Sequence, residues 1–499
     1  MKNWVKQLFT LYFVGLFPLV VVFVASLYNP ADSDLGWHLR YGQYFFQHHA
    51  ILTKNLFSSE MVNYDWVNHS WGTDAITYFT YHHFGFFGLS VLGALVVVAT
   101  MYFFAKAAKL NFWQQAVLFP ILLFLEEPLT IISFRSQLMT LGFIGLVYFF
   151  ISKFQEKKYK WLFGIIPMFL VWSNLHGEFI LGLGVFAGWI GIYTLRLLYD
   201  KYRLRIKTDF HEWRILVSAF FLSFAATFVN PFTWRVYLEA THHFDNPLQK
   251  YIVEWTPFDP GSTLWWRLVY WGILIAISLI VIAKKRQVKK LLPYICLMIL
   301  LFVFSFWMRR YSWPMFLISI PVVAVFVKAI EPPNKKISAI FATFLLAAYY
   351  FYSIFIHNQS VLLRSMSWDF YCNVYIFCSP KSAQYLVEHK PAGKLLTFYN
   401  WGGWLIWNYP NIKPSMDGRM PFWKDDHGYS AFAHYYPLEQ NMASVDASEY
   451  DEVYMPPTKP IYKQMLKLVN EGRWKIVFQD MYAGIFVRND IKQTFGPIR

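Results

Sequence analysis

The segment from residue 8 to residue 40 joins an apolar run, LFTLYFVGLFPLVVVFVASLY (8–28), to a polar cluster, DSDLGWHLR (32–40). The run is long enough to cross the hydrocarbon core of a bilayer. Lys2 and Lys6 precede it, but no small-residue cleavage site precedes Asp32, so we expect a retained first helix and not a signal peptide. The cluster places two carboxylates, an imidazole and a guanidinium beside a membrane, where charge is costly, and this predicts a chemical role.

The composition indicates a polytopic membrane protein. Hydrophobic residues make up 56% of the 499-residue chain, aromatic residues 21% and charged residues only 15%. Repeated apolar runs of this kind are typical of α-helical membrane proteins. We predict eleven spans, near residues 8–28, 86–105, 113–125, 137–152, 161–173, 179–199, 213–229, 264–283, 291–307, 312–330 and 337–356.

The distribution of positive charge predicts the orientation. The net charge is +15, but Lys and Arg lie between apolar runs and form no soluble basic domain, so we expect no nucleic-acid partner. With the N-terminus inside, the inner connections carry dense basic clusters, whereas the outer connections before residue 357 carry only Arg40, Lys54, Arg135, Arg235, Lys250, Arg309 and Arg310. The positive-inside rule therefore predicts a cytoplasmic N-terminus and an extracytoplasmic C-terminus. Asp32 and Asp34 would face outward.

The pattern divides the chain into a membrane module, 1–356, and an extracytoplasmic α/β domain, 357–499. The module includes a first outer loop, 29–85, that is too long to be a plain connector. Aromatic and polar residues alternate in its parts 36–46 and 71–84, which we interpret as interfacial helices over a cavity. In the C-terminal domain we predict strands at 394–399, 475–479 and 484–488, and helices at 380–389 and 460–471.

Several outward polar residues have a structural explanation beside a functional one. Asp32 would cap the following helix, with Asp34 in its first turn, if neither were catalytic. Asp417 and Arg419 either face a substrate or pair with each other in a turn. Cys372 and Cys378, on the oxidising side, are close enough in sequence to form a disulfide.

The remaining candidates are one arginine pair and three histidines. Arg309 and Arg310 either bind lipid phosphate or extend toward outer headgroups. His38 and His69 either contact substrate or form hydrogen bonds at the interface, and His176 either lines a cavity or stabilises its loop.

Four motifs together resemble a bacterial group within the GT-C superfamily of membrane glycosyltransferases. They are DSDLGWHLRYG (32–42), WSNLHG (172–177), NPF (230–232) and the region from NWGG (400–403) to DGR (417–419). The long first outer loop with acidic residues, the acidic pair Glu126-Glu127 in the next outer loop and the C-terminal extracytoplasmic domain fit the same superfamily. The resemblance spans nearly the whole chain.

The resemblance implies transfer of a sugar, with inversion, from a polyprenyl-phosphate carrier to a lipid, glycan or protein acceptor on the outer face of the cytoplasmic membrane. Such a reaction needs a base for the acceptor hydroxyl, and we predict Asp34 first and Asp32 second. It also needs cations that offset charge on the leaving phosphate. The predicted substrate-binding residues are His38, Arg40, His69, Arg135, His176, Arg309, Arg310, Asp417 and Arg419.

The resemblance also implies a possible divalent metal. In some GT-C enzymes an acidic motif in the second outer loop helps first-loop carboxylates to bind it. By that analogy Asp32 or Asp34 with Glu126 or Glu127 would hold Mg²⁺ or Mn²⁺ through oxygen atoms. Here two adjacent glutamates replace a spaced acidic pair.

Two other classes of function compete with the transferase. A lipid or polar-solute transporter or flippase would be expected to show paired repeats, broken helices or mid-span charges, whereas the unusual ionisable residues gather here at one face. A catalytically inactive GT-C-like scaffold for envelope glycan assembly would share every motif. The donor sugar and the acceptor are not specified by the sequence.

Overall fold

The computed structural model describes residues 15–205, 209–244, 250–357, 366–390 and 393–491. The chain forms two compact units. The helical unit comprises residues 1–29, 87–238 and 249–364, and the sheet unit comprises residues 30–86, 239–248 and 365–499. The long first loop thus belongs to the same unit as the C-terminal residues.

The described part of the helical unit is built almost entirely of helices. A helix at Trp71–Ala108 contributes residues 71–86 to the sheet unit and 87–108 to the helical unit, and it is broken at Gly85, where φ is +61°. The other helices of the helical unit are Gly15–Ala25, Phe112–Thr130, Ser136–Gln155, Tyr159–Leu162, Ile165–Leu175, Phe179–Tyr202, His211–Ala226, Thr263–Lys284, Val288–Trp307, Ser312–Ile318, Ile320–Ala329 and Lys335–Tyr352. Helix Arg235–Phe244 begins in this unit.

Six of the described helices are long and apolar enough to cross a membrane, and a seventh span is possible if one bent pair counts as a single crossing. The six correspond to the predicted spans at 86–105, 137–152, 179–199, 264–283, 291–307 and 337–356. The bent pair, Arg309–Ile318 and Ile320–Ala329, turns by 51° and corresponds to 312–330. The prediction of eleven spans is therefore confirmed only in part.

The other four predicted spans are short or polar at one end. Helix Ile165–Leu175 has 11 residues and His211–Ala226 has 16. Both are shorter than the roughly 20 residues that a perpendicular crossing requires. Helix Gly15–Ala25 covers the described part of the first predicted span. Helix Phe112–Thr130 ends with Glu126, Glu127 and Pro128. Residues 8–14 of the first predicted span lie outside the described residues.

Close packing within the helical unit depends on small residues opposite large ones. Val21, Ala116, Ala342 and Leu346 form a buried cluster that joins helices Gly15–Ala25, Phe112–Thr130 and Lys335–Tyr352. In the neighbouring hairpin the fully buried indole of Trp172 lies directly over Gly182, where an added Cβ would be 2.1 Å from ring atom Cζ3. Small residues permit such close approach between helices in membranes.

The sheet unit contains one four-stranded sheet. Strands β1 (Leu395–Thr397), β2 (Glu452–Met455), β3 (Trp474–Gln479) and β4 (Gly484–Arg488) lie in the order β1-β2-β4-β3. β1 is parallel to β2, and the other pairs are antiparallel. The helices of this unit are Leu35–His48, Trp368–Tyr371, Pro380–Glu388, Gly402–Asn408, Ala431–Glu439 and Pro460–Asn470. The sheet and its flanking helices agree with the predicted small α/β layer.

Buried polar contacts tie the first loop to the C-terminal residues. The carboxylate of Glu60 forms an ion pair with Lys394 at 2.7 Å and accepts hydrogen bonds from the hydroxyls of Tyr429 at 2.8 Å and Tyr450 at 3.1 Å. The hydroxyl of the fully buried Tyr371 donates to the backbone oxygen of Asp32. Immediately after Tyr371, a disulfide joins Cys372 to Cys378, and the next helix begins at Pro380.

Gly182→Ala should destabilise the helical unit by about 1–3 kcal/mol because the new methyl group would overlap a buried indole in a packed interior. Thermal unfolding in detergent would measure the change. Gly184→Ala is the matched control, since nothing lies within 4 Å of an added Cβ there. Equal stability of the two variants would contradict the close contact between Trp172 and Gly182.

Candidate functional site

The two aspartates of the opening cluster lie in the turn that precedes helix Leu35–His48. The backbone N–H of Asp34 donates to Oδ1 of Asp32 at 3.1 Å, and Asp32 is only 7% exposed. Asp34 is half-buried and occupies the residue before the first helical turn, but its side chain makes no capping hydrogen bond. The structure therefore does not support helix capping as the function of the Asp34 carboxylate.

Three glycines bring the backbone around Asp34 into direct contact with the C-terminal residues. An added Cβ at Gly36 would lie 1.9 Å from the backbone oxygen of Gly403, and one at Gly403 would lie 2.5 Å from the oxygen of Ser33. At Gly418 an added Cβ would lie 1.9 Å from Oδ1 of Asp34. The carboxylate of Asp34 thus lies against the backbone of the Asp417-Gly418-Arg419 turn, in space that any side chain would fill.

A buried histidine–carboxylate pair lies one helical turn beyond Asp34. Nδ1 of His38 is 2.5 Å from Oδ1 of Asp74, and Nδ2 of Asn68 donates to the other carboxylate oxygen at 2.6 Å. Asp74 is fully buried, and 12% of the His38 side chain is exposed. A carboxylate that binds one ring nitrogen fixes the orientation of the imidazole. The sequence indicated His38 as a substrate-binding residue, but its partner Asp74 was not predicted.

Opposing effects act on the pKa of His38. Burial lowers the pKa, but the charge and hydrogen bond of Asp74, together with the charges of Asp32 and Asp34, raise it to a net value above the usual one. The imidazolium form therefore persists to higher pH than in a free histidine.

The side chain of Arg40 contacts the C-terminal end of helix Gly402–Asn408. Nη2 donates to the backbone oxygens of Ile406 and Trp407, both at 3.0 Å, and Nη1 donates to Gln43 at 2.7 Å. Unpaired carbonyls at a helix end attract such a cation. Binding of a phosphate by Arg40, as predicted, would require release of these contacts. His69 is half-buried in the loop that leads to the helix at Trp71.

Asp417 and Arg419 form a buried ion pair, which is the structural alternative that the sequence left open. Nε and Nη2 of Arg419 donate to the two carboxylate oxygens of Asp417, both at 2.7 Å, and Nη2 also donates to Asn55 at 3.0 Å. The side chains are 1% and 0% exposed. Rings of Trp66 and Trp423 lie near the guanidinium. The pair therefore fixes the turn that supports Asp34.

A separate ionic cluster lies in the helical unit. Glu254 is shared by two arginines: Arg135 at 3.1 Å and Arg310 at 3.3 Å. Its Oε2 also accepts a hydrogen bond from Gln137 at 2.9 Å, and Arg310 binds Glu178 at 2.5 Å. Burial raises the pKa of Glu254, but the two arginines and Gln137 lower it more, to about 2. Arg135 and Arg310, two of the predicted substrate-binding arginines, are thus paired with carboxylates.

The remaining predicted residues of the helical unit have defined partners. His176 is buried, with Nδ1 at 2.7 Å from the Thr140 hydroxyl and 3.5 Å from Glu178. Arg309 donates to the backbone oxygen of Pro257 at 2.6 Å and to the Thr256 hydroxyl at 2.9 Å. These acceptors are neutral, and the nearest described carboxylate, on the exposed Asp259, is 3.7 Å away, so the charge of Arg309 is less closely compensated than that of Arg135 or Arg310.

The acidic pair Glu126-Glu127, predicted to lie in an outer loop, falls instead in the last turns of helix Phe112–Thr130, and its two members have different environments. Glu127 forms an ion pair with Arg267 at 2.5 Å. Glu126 is 1% exposed, and neither carboxylate oxygen has a hydrogen-bond partner in the described part of the chain. Sequence analysis missed Arg267, although a charged residue inside a predicted span, 264–283, was a signal for it.

The described residues contain no ready-made cluster of metal ligands. Among the residues that the structure describes, no three side chains of His, Cys, Asp or Glu are placed to hold a metal ion. Binding of Mg²⁺ or Mn²⁺ by Asp32 or Asp34 with Glu126 or Glu127 therefore stays a prediction.

Replacing either member of the buried Asp417–Arg419 pair should destabilise the sheet unit by about 3–5 kcal/mol, because the partner would be left as an unpaired buried charge. The double variant Asp417→Asn/Arg419→Met should lose less than the sum of the single variants. Urea unfolding of the four proteins would measure the coupling. Lys467→Met, at an exposed pair with Glu471, should change stability by less than about 1 kcal/mol. Strict additivity would contradict the buried pair.

Protonation of Glu254 should weaken the helical unit in acid. The pKa of Glu254 is lowered in the folded state, so its contribution is complete above about 4.5 and is lost as the pH falls toward about 2. Glu254→Gln removes this contribution at all pH values. The difference in unfolding temperature between native protein and variant should therefore be constant near neutral pH and shrink over that interval.

Intrinsic fluorescence during heating, at a series of pH values in detergent, would follow both proteins. Asp259→Asn is the matched control because the Asp259 side chain is 84% exposed and lies 3.7 Å from Arg309. A difference between native protein and Glu254→Gln that does not change with pH would contradict the proposed ionised cluster.

Comparison with known proteins identifies a related fold. No family model matches the sequence, and no curated protein matches it. The apo crystal structure of the oligosaccharyltransferase from Archaeoglobus fulgidus superposes with a TM-score of 0.50 and 9% identity, over 89% of this chain and 70% of that one. The same enzyme tethered to an acceptor peptide with an NVT sequon gives a TM-score of 0.49 and 12% identity over the same shares.

At this level of identity the similarity concerns the fold alone. Oligosaccharyltransferase has a GT-C fold. The apolar helices, together with this likeness, indicate an integral membrane protein. The chain therefore has a GT-C-like fold with a small C-terminal sheet.

Proposed function

We propose that this protein is a membrane glycosyltransferase that moves a sugar from a polyprenyl-phosphate-linked donor to an envelope acceptor on the extracytoplasmic face of the cytoplasmic membrane. The placement of the Asp34 carboxylate against Gly418, beside the His38–Asp74 pair, is the observation that carries the proposal. The GT-C-like fold supports it, because membrane enzymes of this fold transfer glycosyl groups. The acceptor would be a lipid, a glycan or a protein.

The proposed reaction is a single displacement at the anomeric carbon. An acceptor hydroxyl attacks that carbon while the carboxylate of Asp34 takes the hydroxyl proton. The bond between the anomeric carbon and the phosphate oxygen breaks, and polyprenyl phosphate leaves with the electron pair, so the configuration inverts. Asp34 is the better candidate because it is half-buried and accessible, whereas Asp32 is nearly buried and binds the backbone of Asp34.

His38 and Asp74 would act as positioning residues. The carboxylate of Asp74 orients the imidazole of His38 one helical turn beyond Asp34. The charges of Asp32 and Asp34 contribute to the raised pKa of His38, so the imidazole lies within electrostatic reach of both carboxylates. His38 would therefore influence the charge around Asp34 without contacting the reacting atoms.

Charge on the departing phosphate would be offset by a cation. In the sheet unit the predicted cation is Arg40, which donates to two helix carbonyls, so phosphate binding by Arg40 would require release of these bonds. In the helical unit Arg135 and Arg310 share Glu254. Arg309 donates to neutral acceptors, and its nearest described carboxylate, on the exposed Asp259, is 3.7 Å away, so its charge is the least closely compensated of these three arginines.

Asp34→Asn should reduce glycan transfer by about 10²–10⁴-fold, because the amide cannot accept the proton. Gly418→Ala should also cause a large loss, since its methyl group would displace the Asp34 carboxylate without changing any charge. Mass spectrometry of lipid-linked sugars and surface glycans, in cells that lack the protein and are complemented with each variant, would measure transfer.

Asp426→Asn is the matched control, as Asp426 is an exposed carboxylate in the same unit. Protein level and thermal stability of each variant separate loss of transfer from loss of folding. Normal glycan output from a stable Asp34→Asn protein would contradict the catalytic proposal and favour an inactive scaffold. If glycans and carriers stay unchanged without the protein while solute uptake falls, the protein is a transporter.

A further inference from the structure

The helical unit contains a cavity that the proposed reaction does not use. Its volume is about 820 Å³, and it lies among the ends of several described helices. The end of the helix at Ala108 contributes to it, as do the end of Ser136–Gln155 and the start of Val288–Trp307. These ends belong to the connections that the positive-inside rule predicts to be cytoplasmic. The cavity is therefore predicted to open on the cytoplasmic face.

Cations predominate in the lining of this cavity. Of the described residues that line it, eight are Lys or Arg and three are Asp or Glu. The three acidic side chains already have basic partners. Glu156 binds Lys109 at 2.8 Å, Asp200 lies 3.9 Å from Arg196, and Glu212 pairs with Lys157.

Four of the cations have no acidic partner among the described residues. They follow helix Thr263–Lys284 and enter the next helix: Lys285, Arg286, Lys289 and Lys290. All four are exposed, and none forms an ion pair with a described carboxylate. Four positive charges around one cavity repel each other, and a bound anion would offset this repulsion.

The helix that begins at this cluster adds to the positive potential. Helix Val288–Trp307 has no side-chain hydrogen bond at its N-cap, Gln287, and no acidic residue in its first turn. Lys289 and Lys290 lie in that first turn, where the positive end of the helix dipole disfavours cations. An anion at this position would satisfy free backbone N–H groups and the lysine charges together.

Part of the lining of the cavity is apolar. Trp189, Leu292, Pro293, Pro321 and Val325 contribute to it. A cavity that is lined by both cations and apolar side chains, at the ends of apolar helices, fits a molecule that is amphipathic. A soluble phosphate would leave most of the volume and the apolar part of the lining unoccupied.

We propose that this cavity binds the headgroup of an anionic phospholipid, with its phosphate at Lys285, Arg286, Lys289, Lys290 and the first turn of helix Val288–Trp307. Basic residues at such helix ends also determine topology, which requires no bound ligand. All four basic residues line one cavity, which topology alone does not require, and this observation favours a binding site. Lys160, Lys201, Arg203 and Arg205 lie on the same predicted face and do not line it.

The test uses the purified full chain in neutral detergent and native mass spectrometry with added phosphatidylglycerol or phosphatidylcholine. Native protein should retain phosphatidylglycerol and not phosphatidylcholine. Retention should fall more than about tenfold when the four cavity cations are replaced. That cavity variant is Lys285→Gln, Arg286→Gln, Lys289→Gln and Lys290→Gln. The matched control removes the same charge from the same predicted face: Lys160→Gln, Lys201→Gln, Arg203→Gln and Arg205→Gln.

A third variant, Lys285→Arg, Lys289→Arg and Lys290→Arg, keeps the charge and should retain the lipid. This variant shows whether loss of lipid from the neutral variant follows from loss of charge or from misfolding. Equal losses in the cavity and control variants would overturn the proposal, as would native protein that retains no phosphatidylglycerol. Displacement of the lipid by millimolar pyrophosphate would show a site for soluble phosphate and overturn the lipid assignment. None of these readouts depends on glycan transfer, so the proposed enzymatic function is tested separately.

Discussion

The contact between backbone atoms at Gly36, Gly403 and Gly418 determines the geometry of the candidate site. At each of these glycines an added Cβ would lie within 2.5 Å of an atom from Ser33, Asp34 or Gly403. Such contact is possible only without side chains, so the glycines fix the distance between the first loop and the C-terminal turn. The position of the Asp34 carboxylate is a consequence of this packing and not of a hydrogen bond that caps its helix.

Buried charge imposes the second constraint, because every ion removed from water requires compensation. In the sheet unit Arg419 is compensated by Asp417, and His38 by Asp74. In the helical unit two arginines compensate Glu254. Most of the residues that the sequence indicated as functional therefore form ion pairs or hydrogen bonds within the protein. Asp34, half-buried and without a capping bond, is the acidic residue best placed to react.

The sequence predicted the elements better than the partners. Strong local patterns predicted helix Leu35–His48, six of the long apolar helices and strands β1, β3 and β4. Strand β2, Glu452–Met455, was missed because it is a four-residue run directly before two prolines, although it lies at the centre of the sheet. His38 and Asp74 are 36 residues apart, and Arg267 and Glu127 are 140 residues apart. No local sequence pattern predicts either pair. Partners this distant are set by the tertiary fold.

Positive charge is compensated to different extents on the two predicted faces of the helical unit. On the outer face Arg135 and Arg310 are fixed by Glu178 and Glu254 in a network that burial strengthens. On the inner face the described acids Glu156, Asp200 and Glu212 are too few for the cations around them. Topology requires an excess of positive charge inside, but it does not require the excess to converge on a cavity that is partly lined by apolar side chains. A bound anion would offset the repulsion between the converging cations, and a lipid phosphate is the anion most concentrated at that depth of a membrane.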